Sequence, residues 1–200
     1  MNDVIHSIFY EIHIIVGVIM LKISIIVFLF SALTFCQENT QPKHAFVGAE
    51  TCGMCHKTEK QGNQFGVWQN SLHSKAYQNL LTEQADKIAK DKGFNTPAAK
   101  TPECLKCHVT GYNVDPSLIG KKFKMEDGVQ CETCHGPGND YKSIQIMKDK
   151  NAAVANGLVL VSDIHTFCIK CHNSESPTFN KDIDLDKMWE KIKHPIPGTK

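Results

Sequence analysis

The chain contains no arginine, so lysine supplies all of the 22 basic charges, which nearly balance 21 acidic ones. A formal net charge of +1 gives no large single-sign field, and nucleic acid is therefore not expected as a partner. The lack of arginine also excludes a twin-arginine export signal. With two tryptophans and four tyrosines, and few apolar runs after the N-terminus, the chain is poorly equipped to build a protein-only core.

Cysteine and histidine occur instead in one repeated frame, Cys-x-x-Cys-His, which is present four times. Two cysteines at this spacing lie on one side of a helical turn, where both thiols can form thioether bonds to a haem. The adjacent histidine can then ligate the iron. The frame therefore predicts four covalently bound haem c groups. The copies are Cys52, Cys55 and His56; Cys104, Cys107 and His108; Cys131, Cys134 and His135; and Cys168, Cys171 and His172.

Three other kinds of site use cysteine pairs at this spacing. Such pairs form halves of zinc sites, thioredoxin-like redox centres and the disulfide scaffolds of exported proteins. None of these sites explains a histidine directly after the second cysteine in every copy. We therefore favour haem c, and we expect the haems to supply the missing apolar core, so that the haem-free chain is largely unfolded.

The first 36 residues form the predicted signal peptide or targeting region. From Met20, the expected true start, a lysine, the apolar run 23–30 and two small residues are typical of a Sec-type signal. The alternative is an uncleaved anchor over residues 12–35, which is long enough to span a bilayer. A further alternative is that Cys36 carries a lipid that tethers the protein to the membrane. Export agrees with haem attachment, so we expect a periplasmic or other extracytoplasmic protein, either soluble or held at the membrane.

The rest of the chain is predicted as a polar tether over residues 37–45 and one tetrahaem domain over residues 46–200. The fold class is mostly α, a small multihaem c-type cytochrome with long loops packed around four covalent haems. Three stretches show the spacing of apolar residues that is typical of helices. They are residues 65–93, 142–157 and 184–195, the last with Asp184 as N-cap and Pro195 as stop.

The sixth iron ligands are the open question at each predicted haem. Outside the motifs and the targeting region, four histidines remain for four irons: His44, His73, His165 and His194. This count permits bis-histidine ligation throughout. For each of the four, a solvated surface position is the alternative.

Several of these stretches resemble the tetrahaem cytochrome c-554 family, over about residues 46–195. The matching pieces are "CGMCH…WQNSLHSKAYQNL", "CLKCHVTGY", "GVQCETCHGPG" and "IHTFCIKCH". The resemblance implies that His73 and His165 are distal ligands, and that the haem at His108 lacks a sixth protein ligand. It also implies that His73 reaches across to another segment's haem, for which we expect the haem at His135.

The stretch after "CHGPG" departs from the family, which has a distal histidine there for the first haem. This chain reads "GPGNDYKSIQIMKDK", without a histidine. The first haem must therefore take another ligand, with His194 and His44 as candidates, or remain open.

Three functions are compatible with this sequence. We favour a carrier that relays single electrons between redox partner proteins in a respiratory chain, with donor and acceptor unidentified. The first alternative is a haem enzyme that reduces a small nitrogen oxide or hydroxylamine at an open haem. The second is a subunit of an extracellular electron-conducting assembly, and a homo-oligomer is left open. Lysines beside the motifs suit partner docking at haem edges: Lys57, Lys106 and Lys170.

Overall fold

Short helices dominate the computed structural model, which describes residues 44–196. Ten α-helices occur in this part of the chain, and the longest has nine residues. They are α1 (Ala49–His56), α2 (Gln64–Gln69), α3 (Ala76–Asn79), α4 (Glu83–Asp91), α5 (Pro102–His108), α6 (Cys131–His135), α7 (Ile144–Met147), α8 (Lys150–Ala155), α9 (Ile164–Cys168) and α10 (Leu185–Ile192). Single 3₁₀ turns lie at Glu59–Gln61, His73–Lys75, Ala98–Lys100, Pro116–Leu118 and Met125–Asp127.

Strands are absent from residues 44–196, where one isolated parallel bridge joins Phe46 to Ile119. The mostly helical fold class predicted from the sequence is thereby confirmed. No helix in this range combines the length and the apolar character needed to cross a bilayer. The targeting region with Met20 and Cys36, and most of the predicted tether, lie outside the described residues.

The predicted helix over residues 65–93 is wrong, because the chain breaks it into α2, a 3₁₀ turn, α3 and α4. At the first break the buried Ser74 hydroxyl lies within hydrogen-bonding distance of two backbone carbonyls, those of Gln69 at 2.9 Å and Ser71 at 3.0 Å. At the second break Thr82 caps α4 by accepting from the Ala85 amide. Hydroxyl side chains compete with the helical ladder in this way. His73 therefore lies in a tight turn and not in the middle of a helix.

Capping aspartates define the later helices. The predicted helix over residues 142–157 is divided at Asp149, whose carboxylate caps α8 by accepting from two backbone amides. The predicted N-cap of the last helix is confirmed, since Asp184 accepts from the Lys187 amide at 3.0 Å. That helix ends at Ile192, before the expected stop at Pro195.

The described part of the chain has a small apolar core. Five of the nine buried apolar residues in the described range are alanines, and the largest cluster joins Leu80, Ala89 and Ala98. Alanine buries little apolar surface, and hydrophobic stabilisation scales with that area. A core of this size agrees with our expectation that the polypeptide needs a large apolar group to fold around.

Candidate functional site

The cysteines and histidines of the first three motifs all lie on short helices, α1, α5 and α6. The fourth motif begins at the end of α9, and its Cys171 and His172 lie in the turn that follows. All eight motif cysteines are free thiols, so the disulfide scaffold considered from the sequence is not formed. In the first three motifs both cysteines lie on one helical turn, as attachment to one planar group requires.

The first motif lies close to the third and the fourth close to the second, and the third and fourth are also neighbours. The Cys131 thiol is the main cause that raises the pKa of Cys52. After burial, the Cys107 charge raises the pKa of Cys171, and the Cys168 charge raises that of Cys134. An ion pair from Lys106 to Glu175 also ties the second motif to the loop after the fourth. Sequence reasoning did not predict this arrangement.

The Glu132 side chain joins the first and third motifs through its carboxylate. This residue is 2% exposed. One oxygen accepts from the Val47 amide at 2.8 Å and the Gly138 amide at 2.7 Å, and the other accepts from the Gly48 amide at 2.8 Å. The third motif therefore holds the chain that enters α1, which carries the first motif.

The Gln130 side chain completes the same junction from the other side of Cys131. It is 2% exposed, accepts from the Ala49 amide at 2.8 Å and donates to the Lys124 carbonyl at 2.7 Å. Buried polar groups need such partners. Sequence reasoning missed both residues, because nothing in "VQCETCH" distinguishes a buried polar side chain from a solvated one.

The motif histidines are oriented through Nδ1. Where Nδ1 donates to an oxygen, Nε2 is left as an acceptor that can bind a metal. Three of the four rings have an oxygen within reach of Nδ1. These contacts are His56 with Gln64 Oε1 at 3.3 Å, His108 with the Ala76 carbonyl at 2.8 Å, and His135 with the Val159 carbonyl at 3.0 Å.

Two of the candidate distal histidines lie directly against motif histidines. The ring centroids of His73 and His172 are 6.1 Å apart, and those of His135 and His194 are 5.8 Å apart. An iron held between two imidazole nitrogens, each at about 2 Å, would separate the centroids by roughly 6 Å. We expected His73 to face the haem at His135, but the structure places its ring beside the fourth motif and gives His194 to the third.

Burial favours the neutral, metal-binding form at the first of these ring pairs. Desolvation lowers the pKa of His73, and repulsion from His172 lowers it further. Desolvation also lowers the pKa of His172. A neutral imidazole is the form that ligates iron, so both rings are prepared for that role.

The other two candidate histidines have carboxylate partners. The half-buried His44 places Nδ1 2.5 Å from Asp140, and the exposed His165 places Nε2 3.4 Å from Asp186. His194 also lies within electrostatic reach of His56, since after burial the charges of His135 and His56 both lower the pKa of His194. Within residues 44–196, ring-to-ring contacts of histidines are recorded at His172 and His135 and not at His56 or His108. His44 and His165 therefore stay predicted ligands that the geometry does not bring to a motif.

Large apolar side chains in or beside the motifs are exposed. Leu72, next to His73, is 83% exposed, Met54 of the first motif 62% and Ile169 of the fourth motif 50%. Exposed apolar groups of this size suit contact with an apolar group such as a porphyrin. Within residues 44–196, no three cysteine, histidine or acidic side chains cluster as ligands for a bare metal ion.

Comparison with known proteins agrees with the motifs. Residues 51–136 match the family model described as cytochrome c554 and c-prime. The chain is 34% identical over 101 residues to cytochrome c-554 of Nitrosomonas europaea, covering 48% of this chain and 40% of that relative. The match thus spans less than half of the relative's length, and no solved structure matches the chain.

The family match includes the first three motifs and ends one residue after His135. The fourth motif and the C-terminal histidines lie beyond it. The resemblance inferred from the sequence is confirmed over this range, and it supports covalently bound haem c as the cofactor type. Over residues 51–136 the chain is similar to the cytochrome c554 and c-prime family.

Proposed function

We propose that the chain is an exported tetrahaem c-type cytochrome that relays single electrons between redox partners in a respiratory chain. The observation that carries the proposal is the closeness of the four motifs to one another, two of them with a second histidine ring at the separation suited to iron. When bound, haem iron supplies a reversible one-electron change. Because the motifs are neighbours, electrons would pass between the bound haems over short distances.

The chain's own residues have three roles in this function. The eight cysteines would attach the cofactor, and the four motif histidines would each ligate an iron. His73 and His194 would supply a second histidine ligand at the fourth and third motifs. Two imidazoles hold an iron at a lower potential than a histidine and a methionine would, which suits a donor to other redox proteins.

A second candidate function is favoured by the surroundings of His108. Its Nδ1 is held by the Ala76 carbonyl, and no other histidine ring in residues 44–196 lies against it. An iron ligated there by protein on one side could bind a small nitrogen oxide or hydroxylamine. Nitric oxide binding together with turnover of a nitrogen oxide or hydroxylamine would support the enzyme. Absence of turnover would favour the electron carrier.

Docking to partner proteins is proposed as a small, weak contact near the motifs, because a carrier must dissociate quickly. Two of the three motif lysines already have internal contacts. Lys106 pairs with Glu175, and the Lys170 ammonium lies 4.3 Å from the centre of the Phe167 ring. Of the three lysines, we propose Lys57 as a docking contact for a partner protein.

Electron uptake by the native protein tests this proposal. We expect coulometric reduction to take four electrons per chain, and the reduced protein to pass them to an external haem acceptor. A protein that takes up fewer electrons, or holds them without exchange, would contradict the proposed function.

A further inference from the structure

Glu132 carries a buried charge that neither haem attachment nor iron ligation uses. Its side chain lies inside the third motif, between Cys131 and Cys134, and is 2% exposed. Among the residues described, no lysine or histidine forms an ion pair with it, and the carboxylate is held by three backbone amides. A buried charge without a counter-ion is costly unless such hydrogen bonds stabilise it.

The hydrogen-bonding pattern requires an acceptor at every position. Both oxygens of Glu132 accept, and neither donates. This is the pattern of an ionised carboxylate, which is an acceptor only. A glutamine would turn an NH₂ group towards a backbone N–H. The amides of Val47, Gly48 and Gly138 therefore select a negative charge and not merely a side chain of this shape.

The charge is felt at the first motif as well as at the third. Glu132 accepts from the Gly48 amide at 2.8 Å, and the carbonyl of the same Gly48 accepts from the Cys52 thiol at 3.7 Å. Cys131 of the third motif directly precedes Glu132 in the chain. One buried carboxylate therefore lies within electrostatic reach of both attachment sites.

We propose that Glu132 is a fixed negative charge that lowers the reduction potentials of the haems bound at the first and third motifs. Addition of an electron beside a buried negative charge is unfavourable, because the low-dielectric interior screens it weakly. This inference rests on the proposed carrier function. In that carrier, electrons would preferentially occupy the haems at the second and fourth motifs, which have the higher potentials. The first and third haems form the low-potential end of the relay.

The test is Glu132→Gln in the full native holoprotein, with potentials measured by spectroelectrochemistry and the haems resolved by electron paramagnetic resonance. We expect two of the four potentials to shift upward and the other two to stay at their native values. The matched control is Glu103→Gln, which removes an exposed carboxylate directly beside Cys104. Solvent screens that charge, so all four potentials should remain unchanged.

Glu132→Asp separates the charge from the hydrogen bonds. It retains the negative charge on a shorter side chain, so we expect native potentials with a lower melting temperature. If Glu132→Gln does not accumulate, Glu132→Asp alone tests the inference. Native potentials in Glu132→Asp support it, and an upward shift of the two potentials in that variant overturns it.

Two results of Glu132→Gln would overturn it directly: four unchanged potentials, or four potentials that shift equally. A native protein with fewer than four haems would instead contradict the proposed function, so the two failures can be told apart.

Discussion

The imidazole rings of His135 and His194 face each other at a centroid separation of 5.8 Å, although one belongs to the third motif and the other follows the last helix. That helix is amphipathic, begins at the Asp184 cap and ends at Ile192. The segment that follows it is held where Gln64 Nε2 donates to the Pro195 carbonyl at 3.1 Å. The C-terminal helix thus brings His194 against a motif histidine in the middle of the chain.

Replacement of His194 by alanine should remove the sixth ligand of the third haem. We expect the ferric spectrum to gain one high-spin haem, and that haem's potential to rise because a strong donor to ferric iron is lost. Lys191→Ala, an exposed change on the same helix, should leave the spectrum native. Undiminished low-spin absorption in His194→Ala would show that His194 does not bind iron.

Replacement of His73 by alanine should affect a different haem, the one attached at the fourth motif. The backbone of His73 is fixed near Gly128, whose positive φ of 74° and lack of a side chain let the loop approach the His73 carbonyl, which accepts from Val129 at 3.0 Å. The His73 ring lies beside His172 of the fourth motif. We expect one low-spin haem to be lost in His73→Ala and two in the double variant with His194→Ala. Loss of only one in the double variant would mean that both histidines serve the same iron.

Replacement of Gln130 by alanine should destabilise the junction of the first and third motifs. The change leaves the Ala49 amide and the Lys124 carbonyl without their partner in a buried place. We expect the free energy of unfolding to fall by about 2–4 kcal/mol, measured by denaturant titration of the holoprotein. Gln69→Ala removes an exposed glutamine and should change it little. Equal stability of the two variants would contradict the buried role of Gln130.

The Asp184 cap should give a small acid-dependent loss of stability. Hydrogen bonds from the Lys187 side chain and then its backbone amide lower the pKa of Asp184 below the ordinary 3.8. A lowered pKa means that the stabilisation is fully present above pH 3.8 and is lost as the pH falls through the lower, folded-state value.

Melting curves of native protein and Asp184→Asn between neutral and acid pH measure this contribution. We expect a difference on the order of 1–2 °C at neutral pH, because the group is exposed, and a smaller one in acid. Asp182→Asn, at an exposed position in the preceding turn, is the control. A difference that grows as the pH falls would contradict the assigned role.

Local chemistry was predictable from the sequence. The Cys-x-x-Cys-His frame is contiguous, so it predicts the attachment residues without any knowledge of the fold, and the family comparison supports the cofactor type. The Asp184 cap was predictable for the same reason, since an N-cap depends on the three residues that follow it. The helical fold class followed from apolar spacing.

The helix breaks and the contacts between distant segments were not predictable from local sequence. The helix over residues 65–93 has helical spacing, yet a buried serine and a threonine cap divide it, which only the surrounding packing decides. The partner of His73 and the burial of Gln130 and Glu132 depend on contacts between segments far apart in the chain. A single sequence contains no signal for such contacts.

The central claim is that every motif holds a covalent haem, including the fourth, which lies beyond the region of family match. A pyridine haemochrome assay against protein concentration, with the intact mass of purified native protein, measures this directly. We expect four haems per chain, all retained after acid extraction because thioether bonds hold them. Three or fewer, or haem that extracts into organic solvent, would contradict it.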